Sequence, residues 1–360
     1  MGPSRRLENL AQARYAVEIN AAGRVVMPGF VDAHTHLAFP PAGVREAEPA
    51  AAMRALHTAT GHRLAVRSRA YLEAMARHGT TTVEVKIACG LDGDAEAKLL
   101  RMLWVLRRDP IDVLSSFLFR LPSELKGGSS QTTEWVAADL LPKVLRRRVA
   151  SFADLAWDCD PALLPYFDRY LSAARELGFG CKIHADGADP SGAIALAARH
   201  NAASIDHFEH ANECHVRQLA EAGIIATLLP RVTFGGGPDP PARALIDAGA
   251  AVALGTNFNP HDSPALSMQA AVALACGRWG MTIEEAISAA TINGAYALGC
   301  ADRVGSLEPG KSADLVILNA GHLRDLELCL GTNLVHLTMK GGRFIYKEGE
   351  VGSLPANDLP

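Results

Sequence analysis

The stretch Val25-Val26-Met27-Pro28-Gly29-Phe30-Val31-Asp32-Ala33-His34-Thr35-His36 decides the reading of this chain. Val25 to Ala33 is a short apolar run rich in β-branched residues, which predicts a buried strand. The two histidines that follow it stand at i and i+2, so on extended backbone they project to the same face. Two imidazoles so placed can ligate one divalent cation. The end of a strand in an α/β barrel suits such a pair, because these barrels keep their chemistry at the carboxyl ends of their strands.

Outward from that stretch, further strand patterns run Thr80 to Lys86, Val113 to Phe119, Phe152 to Trp157 and Gly180 to Ala185, then Ala203 to His207, Ile224 to Leu229 and Ala250 to Thr256. Helix-forming segments separate them, including Arg67 to Ala76, Ala95 to Leu106, Tyr166 to Leu177 and Ser191 to Arg199. Strands alternating with helices predict parallel βαβ units. Eight such strands over roughly 230 residues predict an α/β fold, a (β/α)8 TIM barrel. An open doubly wound sheet is the competitor, but no Gly-rich phosphate loop follows the first strand. Thr282 to Leu298 reads as one or two helices. Gly305 to Leu318 is a Gly/Pro-punctuated turn entering a strand, and Asn333 to Met339, Gly341-Gly342 and Arg343 to Tyr346 read as a hairpin. Residues 1–27 plus 305–360 are therefore expected to form a small composite β-sandwich from both chain ends, with the barrel over 28–304.

Composition narrows the function. The 360 residues are 49% hydrophobic and 21% charged, which supplies a core and excludes global disorder. A net charge of −4, from 35 basic and 39 acidic side chains, lacks the footprint of a nucleic-acid binder. Arg146-Arg147-Arg148 is too short a run to supply one. The seven cysteines include no CxxC pair, which fits a reducing compartment. No apolar run nears the ~18 residues of a membrane helix, and Met1 to Glu8 has no apolar stretch of signal type. The expectation is a cytoplasmic protein with no membrane partner.

Two later strands also end in histidine: Lys182-Ile183-His184-Ala185-Asp186 closes the fifth, and Ser204-Ile205-Asp206-His207 the sixth. With His34 and His36 they would share one rim. Here the chain resembles the amidohydrolase superfamily and, within it, the imidazolonepropionases, the ring-opening hydrolases of histidine degradation. The likeness rests on Pro28 to His36, Gly79 to Lys86, His184-Ala185-Asp186 and Asp206-His207. It continues with Asn259-Pro260, Ser263-Pro264, Thr291 to Ala295 and Gly305 to Leu318. The resemblance implies one divalent metal ion, zinc or iron, on His34, His36, His184 and an acidic residue ending the eighth strand. His207 would lie beside the water that attacks a small-molecule cyclic amide. It also allows a homodimer.

The pattern departs from the family at several of these positions. Asn257 stands where the resemblance calls for aspartate, so the fourth metal position becomes a weak or absent ligand. A neutral amide cannot accept a proton near neutral pH. His261 and Asp262, just beyond, are the candidates for a relocated base, which makes His207, Asn257, His261 and Asp262 the expected catalytic group. Around the substrate, Cys89 replaces a tyrosine, Gly187 replaces a glutamate, and Arg45 is the candidate carboxylate grip. Two alternatives stand beside a cyclic-amide hydrolase. One is an impaired relative that binds metal or a small ligand without turnover, and the other is a heterocycle deaminase, which needs a carboxylate that Gly187 and Asn257 do not provide.

Overall fold

Gly29 splits the opening strand between two sheets. On its amino side Val26–Pro28 (β1) pairs antiparallel with a strand near the other end of the chain, and on its carboxyl side Phe30–Asp32 (β2) begins the barrel. A side chain at 29 would put its Cβ 2.3 Å from Thr81 Cγ2, so only glycine lets the chain cross there. The single strand expected over Val25 to Ala33 is thus two short ones, and the change of sheet falls at Gly29. The computed structural model describes residues 16–37, 58–88, 98, 101–102, 105–107, 110–121, 129–230, 238–260, 263–328 and 330–349.

After β2 the barrel continues through Thr80–Ala88 (β3), Asp112–Phe119 (β4), Phe152–Ala156 (β5) and Gly180–Ala185 (β6), then Ser204–His207 (β7), Ile225–Leu228 (β8) and Val252–Leu254 (β9). All eight strands are parallel and each pairs with the next in sequence. The seam between last and first closes at the rim, where Asn257 N–H donates to His34 O at 3.0 Å and His36 N–H donates to Phe258 O at 2.7 Å. The fold is therefore a TIM barrel whose closing bonds join the two segments that carry His34 and Asn257.

Helices cover the outside. Helix α1 (Gly61–Arg77) starts at Thr60, whose hydroxyl caps Arg63 N–H, and buries Leu64, Leu72 and Met75 against β3. Helices α2 (Leu164–Glu176) and α3 (Ser191–His200) pack Phe167, Tyr170, Leu171, Ile194 and Leu196 into the main core. The segment Thr282 to Leu298 resolves into two helices, α4 (Ile283–Ala289) and α5 (Ile292–Ala297), broken around Ala290-Thr291. Most of the helix expected over Ala95 to Leu106 lies outside the described residues.

The small domain is a four-stranded antiparallel sheet in the order β1, Leu315–Leu318 (β10), Val335–Lys340 (β11) and Arg343–Lys347 (β12). Gly341 and Gly342, both at positive φ, make the turn of the expected hairpin. Among the described residues this domain is one sheet rather than two layers; residues 1–15 are outside them. It is tied to the barrel where α1 ends. Thr338 Oγ1 donates to Ala76 O at 2.8 Å, and Gln269 Nε2 donates to His78 O at 3.1 Å and to Asn333 Oδ1 at 2.9 Å.

Candidate metal centre

Four imidazoles converge at the carboxyl ends of β2, β6 and β7. His34 and His36 follow β2, His184 is the penultimate residue of β6, and His207 ends β7. The His34 ring centroid is 5.1 Å from that of His36, 5.1 Å from His184 and 5.2 Å from His207, and the His184 and His207 rings are 4.3 Å apart. One ligand nitrogen from each of His34, His184 and His207 lies within 4.8 Å of the others, and His36 Nε2 is 3.2 Å from His34 Nε2. His207 and Phe208 sit at φ 82° and 73°, left-handed backbone that non-glycine residues adopt only when their surroundings hold them.

Burial pushes the His34 and His36 rings well below the usual imidazole range, with neighbouring positive charge at Lys86 adding to it for both. His184 is lowered by burial and then by His207. Neutral rings have lone pairs to offer, and the imidazole set suits a divalent ion of borderline softness. The buried Nδ1 of His184 has no hydrogen-bond partner. The donors fit a divalent cation.

Beneath the histidines the barrel is filled with charge rather than hydrocarbon. Glu84 and Lys86 of β3, Asp154 of β5, Lys182 of β6 and Asp206 of β7 are all without solvent exposure. Lys86 Nζ lies 2.7 Å from Asp206 Oδ2 and 3.3 Å from Glu84 Oε2, and pairs still more closely with Asp154 Oδ2. Lys182 Nζ is 2.8 Å from Glu84 Oε2. Asp206 Oδ2 meets His34 Nδ1 at 2.8 Å, and Asp206 Oδ1 accepts from Ser204 Oγ at 2.7 Å. Burial alone would raise the Asp206 carboxyl, but Lys182, Lys86 and His34 together hold it well below its ordinary range. Across the barrel, Asp32 accepts from Thr256 Oγ1 at 2.6 Å and Thr256 N–H at 2.9 Å, yet burial outweighs these bonds and pushes it up to about 7. At the rim Asp186 Oδ2 is 3.6 Å from His184 Nε2 and 3.5 Å from Arg120 Nη2, while Glu209 Oε1 is 3.1 Å from His207 Nδ1.

The structure thus gathers His34, His36, His184 and His207, and puts Asn257 at the seam beside them. Asn257 is half-buried at φ 53°, a left-handed position that asparagine and aspartate tolerate, so the exchange of one for the other costs the backbone little. Gly187 has a steric partner: a Cβ there would lie 2.2 Å from Cys159 Sγ, so the thiol takes the space of the missing side chain. Arg45, Cys89, His261 and Asp262 lie outside the described residues. Sequence reading missed the five buried charges below the rim. Four of them carried a signal, as Glu84 with Lys86, Lys182 with His184, and Ser204 with Asp206 are polar residues two apart on one strand; Asp154 stands alone among apolar neighbours.

A parallel barrel with converging rim histidines, beside a separate four-stranded antiparallel sheet, defines a class, and comparison with known proteins agrees. The model of the Amidohydrolase family matches residues 41–346, and the chain belongs to the amidohydrolase family. Among its relatives, the imidazolonepropionase of Porphyromonas gingivalis is 39% identical over 352 residues, covering 91% of this chain and 83% of that protein. The imidazolonepropionase of Geobacillus kaustophilus is 37% identical, covering 96% and 85%. Of solved structures, N-isopropylammelide isopropylaminohydrolase from Burkholderia multivorans superposes with a TM-score of 0.72 at 20% identity over 94% of this chain and 92% of that one, a likeness of fold. Among the described residues no helix is long and apolar enough to cross a membrane.

Proposed function

We propose that this protein is a metal-dependent hydrolase that opens the carbon–nitrogen bond of a small cyclic amide, of the kind imidazolonepropionases act on. The observation that carries the reading is the convergence of His34, His184 and His207, with His36 against His34, at the rim of an amidohydrolase barrel. His34, His36 and His184 hold the divalent ion, zinc or iron, with Asn257 as a weak fourth neighbour. When bound, the ion supplies Lewis acidity and lowers the pKa of water toward ~7. His207 polarises the amide carbonyl or orients the attacking water, and its Nδ1 is braced by Glu209 at 3.1 Å.

The loss of aspartate at position 257 removes a negative charge from the rim but not from the surroundings of the ion. Asp206 touches His34 directly, and the buried set of Glu84, Asp154 and Asp206 against Lys86 and Lys182 has one more carboxylate than ammonium. That excess favours a cation above it. The leaving nitrogen needs a proton from a group near the ion. His261 and Asp262 remain candidates for that transfer, with Arg45, Cys89 and Gly187 around the substrate. A heterocycle deaminase is less favoured, since the relatives at 37–39% identity are imidazolonepropionases.

Metal analysis of the purified chain, paired with hydrolysis of imidazolone propionate, tests the reading. Wild type is expected to carry a divalent ion and to turn the substrate over, and a chelator is expected to abolish that turnover reversibly. Activity seen only after Asn257→Asp would instead establish a natural chain that binds metal without catalysis.

A further inference from the structure

Two sets of potential ligands share His34. The upper set is His34, His184 and His207; the lower is His34, Glu84 and Asp206, whose ligand atoms also lie within 4.8 Å of one another. The lower hollow already contains a cation. Lys86 Nζ stands 2.7 Å from Asp206 Oδ2 and 3.3 Å from Glu84 Oε2 and contacts Asp154 Oδ2, so one ammonium meets three carboxylates. Lys182 Nζ supports it from β6, 2.8 Å from Glu84 Oε2 and 3.6 Å from Asp206 Oδ2.

We propose that Lys86 and Asp206 are positioning residues: Lys86 fills the lower hollow with the protein's own cation, and Asp206, steered by it, holds His34 in the tautomer that presents Nε2 to a single divalent ion above. The hydrogen-bond inventory requires the tautomer. An ionised carboxylate only accepts, so at 2.8 Å from Asp206 Oδ2 the His34 Nδ1 must carry the proton. The second oxygen of Asp206 is fixed by Ser204 Oγ, and strand register sets Asp206 beside His184. The aim of the carboxylate is therefore set by contacts from β3, β6 and β7. A carboxylate bonded to the outer nitrogen of a ligating histidine orients the ring and raises its basicity. The ammonium of Lys86 then limits the centre, because a second divalent ion in the lower hollow would have to displace it.

The inference rests on the proposed function only in expecting a cation at the rim, and its central test needs neither metal nor substrate. Long-range proton–nitrogen NMR of the nitrogen-labelled, metal-free protein is expected to show His34 protonated on Nδ1. Titration of that protein with zinc is expected to saturate at one ion per chain. Asp206→Asn is expected to give a mixed or Nε2-protonated His34 and to weaken zinc binding about 10–100-fold. Lys86→Ala is expected to take up a second zinc ion. An Nε2-protonated His34 or two ions per chain in wild type would overturn the proposal. So would an Asp206→Asn chain with unchanged tautomer and zinc affinity, or a Lys86→Ala chain that still saturates at one ion with wild-type affinity. If either variant fails to fold, the two wild-type measurements decide alone. Absent turnover with the expected tautomer and stoichiometry would count against the proposed function and not against this inference.

Discussion

The arc of the barrel formed by β3, β5, β6 and β7 and the seam where β9 meets β2 both end at the same histidines, but they are built differently. The arc fills its interior with Glu84, Lys86, Asp154, Lys182 and Asp206, each charge paired with another. Among the described residues, the seam's Asp32 is bonded to neutral donors, Thr256 and the His34 N–H, and the seam ends in the neutral Asn257. Burial is equally complete for Asp206 and Asp32, yet it leaves the first far below the ordinary carboxylate range and the second at about 7. The difference is the presence of lysine. Charge reaches the metal centre from the arc through Asp206 and His34, whereas the seam contributes backbone geometry.

The sharpest test of that division removes a ligand from the arc. His184→Ala is expected to lose bound metal and about 4 kcal/mol of transition-state stabilisation, near a 10³-fold fall in kcat/KM, measurable by metal analysis and steady-state kinetics. If the arc carries the charge, breaking its pairing should also cost more stability than breaking the seam. Lys86→Met leaves three carboxylates with Lys182 as the one remaining ammonium beside them and is expected to cost about 3–5 kcal/mol in urea unfolding. Asp32→Asn keeps the shape and part of the hydrogen bonding, for an expected loss of about 1–2 kcal/mol. Equal losses would break the comparison.

Acidity distinguishes the rim histidines from Asp32 by sign. His34 and His184, both buried, and the half-buried His36 have lowered pKa values, so below ~6.5 the unfolded chain takes up protons that the folded chain refuses, and stability falls as pH falls. Asp32 acts in the opposite direction. With a folded pKa of about 7 it keeps a proton that the unfolded chain loses near ~3.9, so between those values its contribution falls as pH rises. Unfolding of the metal-free chain is expected to show net loss of stability toward acid. Asp32→Asn should steepen it by up to about 1.4 kcal/mol per pH unit within the window. A further effect is local to the rim. Gly187→Ala forces a Cβ to 2.2 Å from Cys159 Sγ and is expected to cost about 1–3 kcal/mol, relieved when Cys159→Ala is added, as thermal unfolding of the single and double variants would reveal.

Much of this was legible in residue order. Seven of the eight strand patterns correspond to barrel strands with ends shifted by a few residues, because side-chain alternation is a local property, and the first divides between the small sheet and the barrel. The four rim histidines were readable for the same reason: each stands at or just past a strand end. Gly29 was less legible, since nothing nearby in sequence reveals that Thr81 will press against it. The buried ions were visible as residues but not as pairs. A charged side chain at an alternate strand position reads equally well as solvent-facing, and only closure of the sheet turns that face inward.

The sequence by itself determined the class of fold, the order of its strands and the histidines available at their ends, because periodicity, turn residues and strand length act over a few neighbours. Only the tertiary structure decided that His34 would find Asp206, 172 residues away, and that Lys86 would stand between three carboxylates. Those contacts depend on strand register around a closed barrel, where a shift of one residue would turn each of these side chains to the other face.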